Sequence, residues 1–130
     1  MTVAVLNIIS NAMVSLGLNY GFGEYTVGED EKAPEVYFVG EYEEIPSINE
    51  DGMQETTFIL TGFSRGPWLA LENAKEKIQG YFNKVGGKTV TAENGSAVAI
   101  FYGNSLVVST GDAELKKMQI NLDTKEWSVK

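Results

Sequence analysis

The stretch from Glu35 to Phe82 decides the fold; it is EVYFVGEYEEIPSINEDGMQETTFILTGFSRGPWLALENAKEKIQGYF. We interpret it as a strand, an acidic loop, a second strand, a sharp break and a helix. The second strand places β-branched and aromatic residues on both faces, as a pleated surface prefers: Thr57, Ile59, Thr61 and Phe63 on one face, Phe58, Leu60 and Gly62 on the other. The first strand also has two fairly apolar faces, which suits a strand covered on both sides or lying at a subunit contact.

The link between these strands, Glu43 to Gln54, is too long for a tight hairpin turn and too polar for a core. Long loops inside compact domains are usually functional or mobile. We therefore take its polar residues as candidate contacts with another subunit or partner: Glu43, Glu44, Asn49, Glu50 and Asp51.

A helix is predicted after Arg65-Gly66, with Pro67 at its first position, where the missing N–H is harmless. Its apolar stripe recurs at three- and four-residue steps and consists of Trp68, Leu71, Ala74, Ile78 and Phe82. Glu72 and Lys75 are spaced to pair on the opposite side, and Gly86-Gly87 marks the exit. Arg65 is a further candidate interface residue, or a partner for a loop carboxylate.

Residues 2–16 predict a first helix, with Thr2 as its cap and Gly17 just past its end. Its polar face is almost chargeless, which indicates contact with another subunit or cover by the next loop. In the glycine-rich segment that follows, Tyr20, Phe22 and Tyr25 either anchor a partner or pack under the loop. A short strand is expected at residues 25–27.

The C-terminal third predicts a β-meander. We expect strands at residues 89–92, 97–102, 106–109 and 115–122, and a short last strand holding Trp127 and Val129. The turns between them are assigned to Asn94-Gly95, Gly103-Asn104 and residues 123–125. The whole chain, residues 1–130, is thus expected to form one α+β domain: a mixed or antiparallel β-sheet with two helices packed on it, in the order α-β-β-α-β-meander.

Composition excludes several kinds of site. The chain has no histidine and no cysteine, which removes Ser-His and Cys-His nucleophiles, disulfides and thiolate zinc sites. Its net charge of −8 argues against a phosphate-binding surface. No apolar run approaches the roughly 18 residues of a membrane span, and no basic segment marks a signal peptide. We expect no enzyme activity, no cofactor and no metal.

The charge is unevenly spread. Residues 1–66 hold eleven acids and two bases, a net −9, whereas residues 67–130 hold seven acids and eight bases, a net +1. An acidic pole can attract a basic partner or pack head to tail with the less acidic side of another copy. The plainer interpretation is a solvated acidic face that aids solubility.

The segments NEDGMQETTFILTGFSR and PWLALENAKEKIQ resemble the tail terminator, or tail completion, proteins of long-tailed phages and of prophages in Gram-positive bacteria. The order of elements over most of the chain is similar to that family too. The resemblance implies a structural protein of the virion tail, assembled in the host cytoplasm. It implies a ring, usually of six subunits, that caps the tail tube and joins the head connector, so its partners are further copies, the major tail tube protein and the head completion protein. DNA would pass through the ring without being read.

Two other functions stay open. The first is a small acidic module that binds a peptide or protein through the aromatic loop at residues 20–25. The second is a small metal-dependent enzyme, because Glu41 and Glu43 share a face of a strand and could share a cation. Residues 49–52 have some character of a calcium loop but lack the acid spacing and closing glutamate of an EF-hand.

Overall fold

The computed structural model describes residues 1–44, 52–92 and 95–127. Two helices and six strands follow one another in the chain: α1 Val3–Ser15, β1 Tyr20–Phe22, β2 Val36–Glu43, β3 Met53–Ser64, α2 Trp68–Tyr81, β4 Lys88–Thr91, β5 Ala97–Val108 and β6 Lys116–Trp127. The predicted α+β class, with a mixed sheet and two helices, is confirmed. The polar loop residues Asn49, Glu50 and Asp51 lie outside the described residues, as do Asn94 and Val129.

One six-stranded sheet joins the strands in the order β1-β2-β3-β6-β5-β4. All neighbouring pairs are antiparallel except β1 and β2, which are parallel. The predicted meander is present as β4, β5 and β6, and β6 closes it against β3. In the strand order, one half of the sheet therefore comes from the N-terminal half of the chain (β1, β2 and β3), and the other half comes from the C-terminal half (β6, β5 and β4).

Both helices pack on the same face of the sheet, which we call the helix face. It is lined by alternating positions of the four central strands, and their side chains and those of the helices form one buried core: Val5, Ile9 and Met13 of α1, Leu71 and Ile78 of α2, and Phe38, Phe58, Leu60, Ile100, Met118, Ile120 and Leu122 of the strands. The opposite, outer face carries the intervening residues and no helix among the described ones. The alternation follows from the two-residue period of a strand.

α1 begins after Thr2 and ends before Gly17, whose φ of 72° is the left-handed conformation expected just past a helix. The predicted cap is wrong in its chemistry. Thr2 holds the N-cap position, but its hydroxyl makes no cap hydrogen bond. It donates instead to Oε2 of the buried Glu126 at 2.7 Å, which ties the start of the helix to the last strand.

α2 begins at Trp68, one residue after Pro67, and ends at Tyr81. The exit is therefore earlier than the predicted Gly86-Gly87, because the buried Phe82 leaves helical conformation and its carbonyl accepts a hydrogen bond from the Tyr102 N–H at 2.9 Å. The predicted Glu72–Lys75 pair is confirmed at 2.7 Å. Trp68, expected in the core stripe, is 40% exposed.

The predicted break at Gly103-Asn104 is wrong. β5 runs without a turn from Ala97 to Val108 and pairs with β6 along its whole length. Gly103 is accommodated as a bulge, where the register shifts between Tyr102 and Asn104. A bulge inserts one extra residue while the ladder continues on either side of it.

The predicted turn at residues 123–125 is wrong as well. β6 continues to Trp127, and its inward alternation extends past Leu122 through Thr124 and Glu126, which are polar yet buried. Thr124 is satisfied there because its hydroxyl donates to the Thr56 carbonyl at 2.8 Å. The short strand expected at residues 25–27 is also misplaced, since the strand of that segment is β1.

Candidate interaction surfaces

The outer face carries a row of stacked aromatic rings. Tyr25 stacks on Tyr37, and Tyr37 stacks on Phe63, each with ring centroids 5.2 Å apart. The Lys117 Nζ lies 5.7 Å from the Phe63 ring centre and ends the row. Tyr37, Phe63 and Lys117 are register partners on β2, β3 and β6, so the ladder aligns the row. Tyr25, a predicted partner contact, is thus packed against the sheet.

The side chains of Tyr20 and Phe22 lie on the helix face of the sheet. They are register partners of Phe38 and Gly40 on the helix face. The hydroxyl of Tyr20 is buried without a hydrogen-bond partner among the described residues, and burial raises its pKa to about 12. Phe22 stacks on Tyr42 and Phe58 but stays 48% exposed. The three aromatics of the predicted loop therefore divide between two faces, and Phe22 is the one of them that offers an apolar ring at the sheet edge.

Glu43 borders an acidic groove of about 440 Å³ on the outer face. Three carboxylates and one ammonium group share it: Glu43, Glu55, Asp123 and Lys125. Lys125 lies 3.9 Å from the Glu55 carboxylate, a loose pair in solvent. In the part of the chain that the structure describes, no group of three or more His, Cys, Asp or Glu residues could hold a metal ion. The groove can attract cationic groups, but it does not form a coordination site.

Glu44 is bound locally. Its Oε1 accepts a hydrogen bond from the amino group of Met1 at 2.5 Å and another from the Gln54 side chain. The hydrogen bond from the Met1 amino group is the main reason why the pKa of Glu44 is lowered. These contacts link the start of the chain to the two strands that flank the long loop.

Arg65 lies at the corner between β3 and α2, and its side chain is exposed. Its backbone N–H donates to the Glu35 carbonyl at 3.1 Å. Within residues 1–44, 52–92 and 95–127, no carboxylate lies within ion-pair distance of its guanidinium group. The predicted pairing with a loop carboxylate is not seen in that part of the chain, and the guanidinium group faces solvent.

The two sheet edges are each formed by a short strand. At one edge β1 covers only Phe38 to Gly40 of β2, and at the other β4 covers only Ala97 to Ile100 of β5. Beyond these pairs, the end segments Glu41–Glu43 of β2 and Gly103–Val108 of β5 have a strand partner on one side only in the described chain. Open edges of this kind are templates for pairing with another strand. The sequence pattern does not locate these edges, because they depend on which strands pair.

The unequal charge of the chain becomes an unequal charge of the sheet. Residues 1–66, with a net −9, contain β1, β2 and β3, whereas residues 67–130, with a net +1, contain β4, β5 and β6. The half of the sheet that ends at β1 is therefore built from the acidic part of the chain, and the half that ends at β4 from the nearly neutral part. Two different edges of different charge suit a contact between unlike surfaces.

No protein-family model matches this chain, and no curated protein matches it either. Among the described residues, no helix is long and apolar enough to cross a membrane.

Proposed function

We propose that this protein is a ring-forming tail terminator of a long-tailed phage, which caps the tail tube and joins it to the head connector. The proposal starts from the resemblance of residues 35–82 to that family. The single structural observation that carries it is the pair of unlike, partly open sheet edges. A closed ring is built from heterologous contacts, in which one surface of each subunit meets a different surface of the next.

The charge distribution supports assembly in this manner. An acidic edge beside a nearly neutral one favours head-to-tail contacts over contacts between like edges, because two edges of the −9 half repel each other. The overall acidity also suits a ring around passing DNA, since a negative wall does not grip phosphate. In this account the acidic groove near Glu43 and Asp123 repels the phosphates or meets a basic partner.

The alternative of a peptide-binding module is less well supported. It required Tyr20, Phe22 and Tyr25 to act as one surface, but Tyr25 stacks on the outer face while the other two lie on the helix face. The metal-dependent enzyme has no ligand cluster within the described residues. A structural role in a ring requires only the two partly open sheet edges described above.

The mass of the purified protein in solution tests the proposal. Light scattering behind a sizing column, over a range of concentration and salt, should give a species near six times 14.2 kDa. Raised salt should change the proportion of oligomer, because the edges differ in charge. A stable dimer at every concentration would contradict a ring. A monomer would require assembly on the tail tube, and failure to bind purified tube would then contradict the function.

A further inference from the structure

The second half of β5 is an open and unprotected strand edge. β4 pairs only with Ala97–Ile100, and the Tyr102 N–H donates to the Phe82 carbonyl, so Gly103–Val108 has no described backbone partner on that side. These six residues include no charge and no proline. Leu106 is 45% exposed and Val107 59%. Natural sheets normally protect a free edge with charges, proline, a bulge or cover. The bulge at Gly103 lies at one end of the segment, and residues 104–108 carry neither charge nor proline, which leaves them available to pair with another strand.

At the opposite edge, β1 lies level with this open segment along the strand direction, as the register partners show. Tyr20 aligns with Phe38, and successive register partners lead across β3 and β6 to Val107. By the same route Phe22 aligns, through Gly40, with Ser105. All of these positions lie on the helix face, so their side chains point to the same side of the sheet.

The two edges therefore have complementary steps. Along the strand direction, β1 covers the same part of the sheet in which β5 has no outer partner. β4 covers the other end of β5, beside Ile100 and Thr124, which lies past the end of β2. β1 runs parallel to β2, and three antiparallel pairings separate β2 from β5, so β1 and β5 run in opposite directions. A second copy that continues the sheet past β5 with its own β1 would therefore place β1 antiparallel to the open β5 segment.

We propose that β1 of one copy pairs antiparallel with Gly103–Val108 of the next, which extends the sheet from subunit to subunit. The contact sets the exposed Phe22 ring beside Ser105 and Val107 on the helix face. The inference deepens the proposed ring-forming function, because it names the two surfaces that meet. It commits to a second copy of this chain as the occupant of the open edge.

Charge supports a second copy that presents its β1 edge. The β1 edge belongs to the acidic half, and Glu24 lies two residues past the end of the strand. At the open β5 segment, Lys84 lines the same cavity as Gly103, together with Lys125 and Asp123. Lys116 lines the same cavity as Val108, together with Asp112. Pairing of two β5 edges would instead bring like ammonium groups together. The head-to-tail contact is therefore favoured over a symmetric one.

Disulfide trapping tests the contact, and the chain has no natural cysteine to interfere. The double variant Phe22→Cys with Ser105→Cys carries one thiol at each edge. Within one chain these positions are separated by four strand spacings, about 19 Å, which is too far for a disulfide. Mild oxidation of the assembled protein should therefore give a ladder of dimers, trimers and larger species on a denaturing gel, ending at the closed ring.

Two controls make the result specific. The single variants can form only dimers, and their yield measures contacts between like edges. The double variant Phe22→Cys with Val3→Cys, in which Val3 lies at the start of α1 and is 69% exposed, measures random collision. A ladder at least several times stronger than in this control supports the contact; an equal ladder, or dimers from Ser105→Cys alone, overturns it. If the Ser105→Cys variant does not fold, Val107→Cys replaces it. The same variant also detects a contact whose register is shifted by two residues.

The outcome is separable from that of the proposed function. A ladder from a protein that does not cap tail tubes leaves the edge contact standing and removes the tail role. Capping without a ladder leaves the tail role standing and removes this contact.

Discussion

Tyr37 and Phe63 are direct register partners on neighbouring antiparallel strands, and their rings stack with centroids 5.2 Å apart at an angle of 23°. The row continues to Tyr25 on one side and to the Lys117 ammonium group on the other. On the outer face of the sheet, where no described helix packs, cross-strand pairs of this kind supply the side-chain stabilisation.

Phe63→Ala should lower the free energy of unfolding by about 2 kcal/mol, since it removes a half-buried ring and its stacking and cation contacts. Urea denaturation followed by circular dichroism measures the loss. Tyr25→Ala, at the end of the row, should have a smaller effect of about 1 kcal/mol. Equal losses from the two variants would show that the row does not act through its central pair.

Gly62 allows close packing between the sheet and α2. A Cβ built there would lie 2.6 Å from a Phe38 ring carbon and 3.0 Å from the Leu71 side chain, and both residues are fully buried. Gly62→Ala should therefore destabilise the protein by about 1–3 kcal/mol through overpacking. Gly80→Ala is the matched control, because its Cβ would meet nothing within 4 Å and the helix gains about 0.5–1 kcal/mol. Thermal melts of the two variants should move in opposite directions.

Tyr20→Phe should leave stability unchanged or raise it by about 1 kcal/mol, since the buried hydroxyl has no hydrogen-bond partner in the described chain.

The same variant should alter the response of the protein's stability to alkaline pH. Burial raises the Tyr20 pKa from 10.0 to about 12, so the folded state keeps the neutral form while the unfolded state ionises. The contribution is complete below pH 10 and is lost as the pH rises toward 12. Melting temperatures across pH 9–12 should fall more steeply for the native protein than for Tyr20→Phe, and parallel curves would contradict this.

Val107→Lys should weaken self-association by a factor of ten or more, because it places a charge in the uncharged open edge of β5. Light scattering at graded concentrations measures the shift in the midpoint of assembly. Val3→Lys, the same substitution at an exposed position of α1, should assemble like the native protein. An unchanged midpoint for Val107→Lys would show that association uses another surface.

The sequence predicts the parts of this fold that depend on local pattern. The alternation from Thr57 to Phe63, the stripe from Leu71 to Ile78 and the helix end at Gly17 each follow from neighbouring residues, and each is confirmed. Charge counting also located the acidic half, although only the strand order shows that this half is one side of the sheet.

The sequence-based predictions fail where contacts with residues far away in the chain determine the local structure. Gly103-Asn104 has the composition of a hairpin turn, yet pairing with β6 makes it a bulge inside one strand. Thr124 and Glu126 ended the apolar pattern of β6, but a carbonyl of β3 and the hydroxyl of Thr2 satisfy them in the interior. β1 has only three residues and a parallel partner, so it has no local signal. The candidate contact surface depends on register across five strands and was for that reason beyond sequence analysis.

The most direct test of the tail terminator account is the growth of tail tubes from purified major tail tube protein with and without this protein. Tube lengths are measured by electron microscopy of negatively stained samples. The account predicts that a small molar fraction of the protein shortens the tubes and leaves a ring of density at one end, and that Val107→Lys shortens them less than Val3→Lys does. Tubes of unchanged length with bare ends would contradict it.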